Sequence, residues 1–189
     1  MTAEVALFGG SFDPPHVGHV LAVAYVLSTH PFDRVMVIPV FAHAFDKPLS
    51  PFEHRVAMAR LAMADLRRVD VSTVEQALPV PSRTVTTLEH LHQAHAGERF
   101  RLVIGADVLA DTERWHEFGR IQELAPPFVL GRAGIEHPDA PPALLPEVSS
   151  THVRELLRKA ARPCAGHPEL APLVPHAVLR YIDQHGLYR

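Results

Sequence analysis

Apolar and polar positions follow two alternating rhythms along this chain. Short runs rich in β-branched residues occur at 5–8, 35–39, 69–74, 101–104 and 128–130, and each reads as a buried strand. Between them lie longer stretches with helical spacing at 18–29, 51–66, 84–96, 151–161 and 175–185. Pro51 suits a first turn, a serine or threonine near 150 suits an N-cap, and Gly97 and Gly186 are placed as stops. Strands that alternate with helices predict an α/β fold, a Rossmann-like doubly wound parallel sheet with helices on both faces. Stretches 41–50, 78–82, 134–146 and 162–172 read as loops or connectors. No internal repeat or low-complexity tract divides the chain, so residues 1–189 are read as one domain.

The first passage from strand to helix is Gly9-Gly10-Ser11-Phe12-Asp13-Pro14-Pro15-His16-Val17-Gly18-His19. Gly18 and His19 fall in the helix's first turn, where backbone N–H groups lack partners and the macrodipole is positive, an arrangement that receives anions. Gly9 and Gly10 let backbone approach a ligand closely. His16 and His19, three apart, share a helical face and can converge on phosphate oxygens. The plainer alternative is that they cap the helix or pack locally. Asp13, before two prolines, is read as shaping the turn. A zinc site is not expected, because this His-x-x-His lacks the intervening Glu and a third ligand at the usual spacing.

Other candidates sit at comparable junctions. Ser150, Thr151 and Arg154 open a second helix, where hydroxyls, N–H groups and a guanidinium can meet a phosphate or simply form an ordinary polar start. Lys47 ends an irregular loop, either closing over phosphates as a point charge or standing in solvent. Asp107 follows Gly105 at a strand's carboxyl end, placed to accept from ribose hydroxyls or to cap the next segment. Trp115, the single tryptophan, offers a stacking surface or a core side chain. His43, His54, His90, His92, His95 and His116 are scattered and receive no chemistry. Neither G-x-x-x-x-G-K-[ST] nor G-x-G-x-x-G is present, so P-loop phosphoryl transfer and ordinary dinucleotide redox binding are not supported. What remains suits attack at an α-phosphorus with pyrophosphate leaving. An incoming phosphate is already ionised, so positioning and charge stabilisation suffice without a strong base or a protein nucleophile.

Gly-Gly-Ser-Phe-Asp-Pro-Pro-His-x-Gly-His at 9–19 resembles the first signature of the His-x-Gly-His nucleotidyltransferases, and Ser149-Ser150-Thr151-His152-Val153-Arg154 resembles their second. Gly105-Ala106-Asp107 followed by Trp115, the run from 128 to 134, and the ending from Val174 to Ile182 are similar to the bacterial nicotinate mononucleotide adenylyltransferase branch. The resemblance spans nearly the whole chain. It implies ATP-dependent adenylyl transfer to nicotinate mononucleotide, with nicotinamide mononucleotide, phosphopantetheine or a non-catalytic nucleotide-binding module as alternatives. It also implies catalytic roles for His16, His19, Arg154 and Lys47, and an ATP site formed by Gly9, Gly10, Ser11, Phe12, Gly18, Gly105, Asp107, Ser150 and Thr151. Arg83, Thr84 and Trp115 would face the pyridine mononucleotide. Magnesium would be carried by phosphate oxygens, since no carboxylate cage is evident and no metal ligands are assigned. Two segments depart from the branch. Arg83 and Thr86 stand where a tyrosine and an aspartate are usual, and Val40-Phe41-Ala42-His43-Ala44-Phe45-Asp46-Lys47 lacks the usual Asn and Pro-Pro-His-Lys. Both line the acceptor side in relatives, so the adenylyl donor is the better supported half.

Composition narrows the setting. A net charge of −3 argues against a partner bound by phosphate neutralisation along a duplex, so no nucleic acid is expected. The longest apolar runs fall well short of the roughly 20 residues of a membrane span, and Met1-Thr2-Ala3-Glu4 has no signal-peptide character. Cys164 is the single cysteine, which excludes an internal disulfide. The expectation is a cytoplasmic enzyme acting on small molecules, with a homo-oligomer left open.

Overall fold

The computed structural model describes residues 2–44, 47–109, 112–131, 141–143, 145–161 and 163–189, the side chain of Glu113 excepted. Most of the loop expected at 134–146 lies outside these residues, as do Phe45 and Asp46 of the 41–50 loop and the end of the 128–134 run. The strands are β1 (Ala3–Gly10), β2 (Arg34–Pro39), β3 (Val69–Val71), β4 (Glu98–Gly105) and β5 (Pro127–Leu130). They form one sheet in the order β3-β2-β1-β4-β5, parallel throughout, with Leu7 opposite Met36 and Leu102. The helices are α1 (Val17–Thr29), α2 (Phe52–Met63), α3 (Thr84–Ala94), α4 (Ala106–Leu109), α5 (Phe118–Leu124), α6 (Ser150–Lys159) and α7 (His176–His185). The α/β doubly wound architecture expected from the sequence is thus the one observed.

The period-two pleat sorts the core. Val5, Leu7, Met36, Ile38, Phe100, Leu102 and Ile104 point to one face and pack under α3 and α5, with Val85, Leu88, Leu91 and Ile121. Ala6, Val35, Val37 and Val103 point to the other, against Ala22, Val23 and Val26 of α1 and Ala59 and Met63 of α2. A third layer lies outside α2, where Met58 and Ala62 meet Val153 and Leu157 of α6 and Val178, Leu179 and Ile182 of α7. Helix α2 is therefore apolar on two sides. Each fully buried aliphatic or aromatic side chain in these clusters contributes about 1.5–3 kcal/mol, so the layers, not helix propensity, hold the strand ends in place.

Several boundaries differ from expectation for local reasons. The strand expected through 74 stops at Val71, because the Ser72 hydroxyl accepts the Val74 N–H (3.2 Å) and turns the chain into a 3-10 helix, Val74–Ala77. α2 ends at Met63 rather than 66, with Leu66 N–H turning back to the Met63 carbonyl. α3 ends at Ala94, before Gly97, because His95 leaves helical dihedrals. α4 and α5, at four and seven residues, are too short to announce themselves by periodicity. Among the described residues no helix is long and apolar enough to cross a membrane.

Candidate active site

Strand order reverses between β1 and β4, the place where open parallel sheets receive ligands at their carboxyl ends. Among the described residues, two of the clefts that open there are the largest lined by the β1–α1 turn. The first, of about 500 Å³, is lined by Gly9 and Gly105 at the strand ends, His16, Gly18 and His19 at the start of α1, Asp107 in α4, Ser150 and Thr151 at the start of α6, and Lys47 from the loop. The second, of about 650 Å³, is lined by Gly10, Arg83, Thr84, Arg114 and Trp115. Ser11 and His43 line both.

The β1–α1 turn has a definite local logic. His16 is the N-cap with extended backbone, so Gly18 and His19 occupy the second and third helical positions, as the sequence predicts. The His16 main-chain N–H donates to His19 Nδ1 (3.1 Å). That acceptor role fixes the tautomer: the neutral His19 ring carries its proton on Nε2. The His16 and His19 rings lie 3.8 Å apart, and Phe12 at 4.9 Å and Phe8 at 6.1 Å complete the packing around His19. A Cβ on Gly18 would meet the His16 ring at 3.1 Å, whereas one on Gly9 would meet nothing within 4 Å. Gly9 is thus open toward ligand space. The space beside Gly10 is filled by the Phe12 ring at 3.2 Å. Phe12 itself adopts φ 48°, a left-handed backbone that costs a non-glycine residue about 1–3 kcal/mol and persists only where its surroundings enforce it.

Those surroundings come from distant parts of the chain. Asp13, 2% exposed, accepts the Tyr188 hydroxyl at Oδ1 (2.6 Å) and the Ser50 N–H at Oδ2 (3.1 Å). Its carbonyl accepts from Arg154 (2.6 Å), and the Pro14 carbonyl accepts the Ser150 hydroxyl (2.9 Å). Burial, then the hydrogen bond and charge of Asp13, raise the Tyr188 pKa well above that of an ordinary phenol. The two signature segments are therefore joined directly. Ser149 caps α6 by accepting the His152 N–H (3.2 Å), and Ser150 and Thr151 face the first cleft. Arg154 instead turns its guanidinium to Asp13 and to the Thr151 hydroxyl (3.1 Å) and is not among the residues lining that cleft.

Arg55 belongs to this framework and went unnoticed in the sequence. Only 1% exposed, it donates to the carbonyls of Ser50 (2.8 Å), Ser11 (3.0 Å) and Val40 (2.7 Å), tying the ends of β1 and β2 to the start of α2. Burial lowers its pKa, and the charges of Asp13 and Glu75 work against that. A signal did exist: Arg55 falls on the apolar stripe of Phe52, Val56, Ala59 and Met63, where helical spacing calls for a hydrophobe.

In the second cleft, Arg83 precedes α3 and Thr84 begins it. Arg114 ends a one-turn 3-10 helix, and Trp115 follows. Trp115 packs against the core below, meets Phe118 edge-on at 6.1 Å and also lines the cleft. Glu117 is hydrogen-bonded to His116 (2.8 Å), and the lining sets the two arginines against this one carboxylate. The loop from β2 is buttoned down at its base. Phe41 N–H donates to the buried Glu75 carboxylate (2.9 Å), which also receives the Thr87 hydroxyl (3.2 Å), and Ala42 exchanges hydrogen bonds with Ser82 in both directions. His43 follows at once. It escaped sequence analysis because nothing marks one histidine among 14, although its place after a strand's carboxyl end was a usable hint.

Chemically, the arrangement can hold a phosphate chain against a helix N-terminus and two histidines, and a second, anionic, ring-bearing ligand against tryptophan and arginine, end to end. Residues 7–156 match the cytidylyltransferase-like family model. The chain is 44% identical over 190 residues to a protein of Anaeromyxobacter dehalogenans named probable nicotinate-nucleotide adenylyltransferase, covering 98% of this chain and 97% of the relative. Proteins of the same name in Myxococcus xanthus and Thermus thermophilus are 42% and 36% identical, across 98% of this chain and 94% and 100% of theirs. In fold, the chain superposes with a TM-score of 0.83 and 18% identity on Plasmodium falciparum nicotinic acid mononucleotide adenylyltransferase complexed with NaAD, covering 98% of this chain and 97% of that one. A cytidylyltransferase-like fold and full-length identity above 40% place the chain in the nicotinate-nucleotide adenylyltransferase family.

Proposed function

We propose that this protein transfers the adenylyl group of ATP to nicotinate mononucleotide, giving nicotinate adenine dinucleotide and pyrophosphate. The observation that carries this reading is the pair of clefts sharing Ser11 and His43, so that substrates bound in each would meet at the phosphate turn. In the first cleft the triphosphate would lie on the Gly18 N–H, with His19 Nε2–H as a donor, His16 beside it, and the α6 N-terminus at Ser150 and Thr151 on the far side. Lys47 would add a point charge and Asp107 would accept from ribose. Gly9 and Gly105 would form the floor, and Arg154 would act by joining α6 to the turn. In the second cleft Trp115 would stack on the pyridine, and Arg83 with the N-terminus of α3 at Thr84 would face its carboxylate. Donors fixed for the charge on a pentacoordinate phosphorus act most strongly in the transition state, which is what accelerates the step.

Magnesium would enter this site as a companion of the triphosphate, carried by its phosphate oxygens. Bound there it would neutralise phosphate charge. Both clefts are built from one chain, so the reading calls for no second copy, and one domain serves it. The single cysteine suits the cytoplasmic setting of such a step.

Pyrophosphate release from ATP, measured with nicotinate and nicotinamide mononucleotides, tests the proposal. Cationic and N–H donors set for a carboxylate are poorly matched by an amide, so kcat/KM should favour nicotinate by about 10²-fold or more. Equal values or preference for the amide would move the protein to nicotinamide mononucleotide, and no release with either would end the adenylyl-transfer reading.

A further inference from the structure

We propose that His43 holds the acceptor's phosphate at the seam between the clefts during transfer, an inference that rests on the adenylyl-transfer reading above. Three observations converge on it. With Ser11, His43 is one of two residues shared by the linings of both clefts among the described residues, and the Ser11 carbonyl is already engaged by Arg55 (3.0 Å). The backbone leading into His43 is pinned: Arg55 holds the Val40 carbonyl (2.7 Å), Glu75 holds the Phe41 N–H (2.9 Å), and Ala42 is zipped to Ser82 (2.9 and 3.1 Å). Backbone so fixed has little freedom left to lose on binding. Burial, with the cations Lys47 and Arg55 nearby, also lowers the imidazole's pKa below its ordinary value.

The reaction supplies the task. An oxygen of the mononucleotide phosphate forms a new bond to the α-phosphorus of ATP as the bond from that phosphorus to the bridging oxygen breaks, and the electron pair departs with pyrophosphate. No proton moves to or from His43. Its N–H instead binds a non-attacking oxygen of the acceptor phosphate and aims the attacking one in line with the leaving group. Such alignment is realised fully only in the transition state, so its loss falls on kcat more than on ATP binding.

Steady-state kinetics with ATP and nicotinate mononucleotide on wild type, His43→Leu and His43→Gln test this, because leucine and glutamine fill similar space and differ in the N–H donor. The Leu variant should lose about 10²-fold in kcat, the Gln variant should recover to within about tenfold of wild type, and the ATP KM of both should stay within about threefold. A Leu variant within about twofold of wild type, equal losses in Leu and Gln, or a loss confined to the ATP KM would each overturn the role of His43. Absence of turnover in the wild type would overturn the reaction instead, a distinguishable result.

Discussion

Residues Ser11 to His19 are held from all sides by atoms far away in the chain, whereas the acceptor cleft is walled by side chains on short elements with one flank in solvent. Around the phosphate turn, Arg55, Tyr188, Arg154 and Ser150 all reach main-chain or carboxylate atoms of Ser11, Asp13 and Pro14, and Phe12, Asp13 and His16 are buried. Around the acceptor, Arg83 and Arg114 are exposed, and Trp115 follows a three-residue 3-10 helix. The difference follows from what each part must do. A phosphate site works by directing fixed dipoles at charge that appears briefly, and any reorganisation subtracts from its effect. A site that sorts one mononucleotide from another needs a few well-matched groups and room for ring and ribose.

The contrast breaks most visibly at His19. If its Nε2–H is as fixed as the Nδ1 hydrogen bond requires, His19→Ala should lower kcat about 10²–10⁴-fold while leaving ATP affinity nearly intact. Paired measurements of kcat and the ATP dissociation constant check this. A loss explained wholly by ATP affinity would mean the turn binds ground state and transition state alike, and the distinction between the two regions would fall.

Tyr188 sharpens the comparison from the stability side. Tyr188→Phe removes one donor from a buried carboxylate, which costs about 1–3 kcal/mol. The pH dependence has a definite sign. The folded-state pKa of Tyr188 is raised above the ordinary 10.0, so its contribution is fully present below about pH 10 and declines as pH rises beyond it, when the unfolded chain releases the proton and the folded one retains it. Thermal unfolding of wild type and variant between neutral pH and about pH 11 should show the gap narrowing above pH 10. A constant gap would mean the hydroxyl matters by packing alone.

The same contrast explains what could be read in the residues beforehand. The phosphate turn is local in sequence: strand, glycines, histidines and helix follow one another within 9–19, so the helix start and the i,i+3 histidine pair are inferable without a structure, although the Val17 and His19 N–H groups expected to lack partners donate to the Leu173 and His16 carbonyls. The sheet was legible for the same reason, since Val5, Leu7, Met36 and Ile38 carry the pleat's period themselves. The clamps were not. Tyr188 lies 175 residues from Asp13, and Arg55 sits in an otherwise ordinary helix. Nothing short-range reports such contacts. The acceptor side was harder still, because α4 and α5 are shorter than the window in which a helical period appears, and His43 takes its meaning from sharing two cavities that exist only once β1, β2 and α3 have come together.

The smallest effect, and the sharpest test of the exposed region, is expected at Arg83. An exposed guanidinium in water-accessible surroundings acts on a carboxylate through a screened interaction, on the order of 1 kcal/mol or less for an ordinary exposed pair, and Arg114 in the same lining shares the charge. Arg83→Ala should therefore lower kcat/KM for nicotinate mononucleotide by no more than about tenfold and narrow its advantage over the amide by a similar factor, leaving kcat close to wild type because on the proposed reading the group faces the pyridine carboxylate and not the reacting phosphorus. Raising the ionic strength should shrink the wild-type preference in parallel while leaving the Ala variant almost unmoved. A hundredfold loss on replacing Arg83 would mean that the pair is dry and closely held when the acceptor is bound, and that both halves of this site are built to the same rigidity.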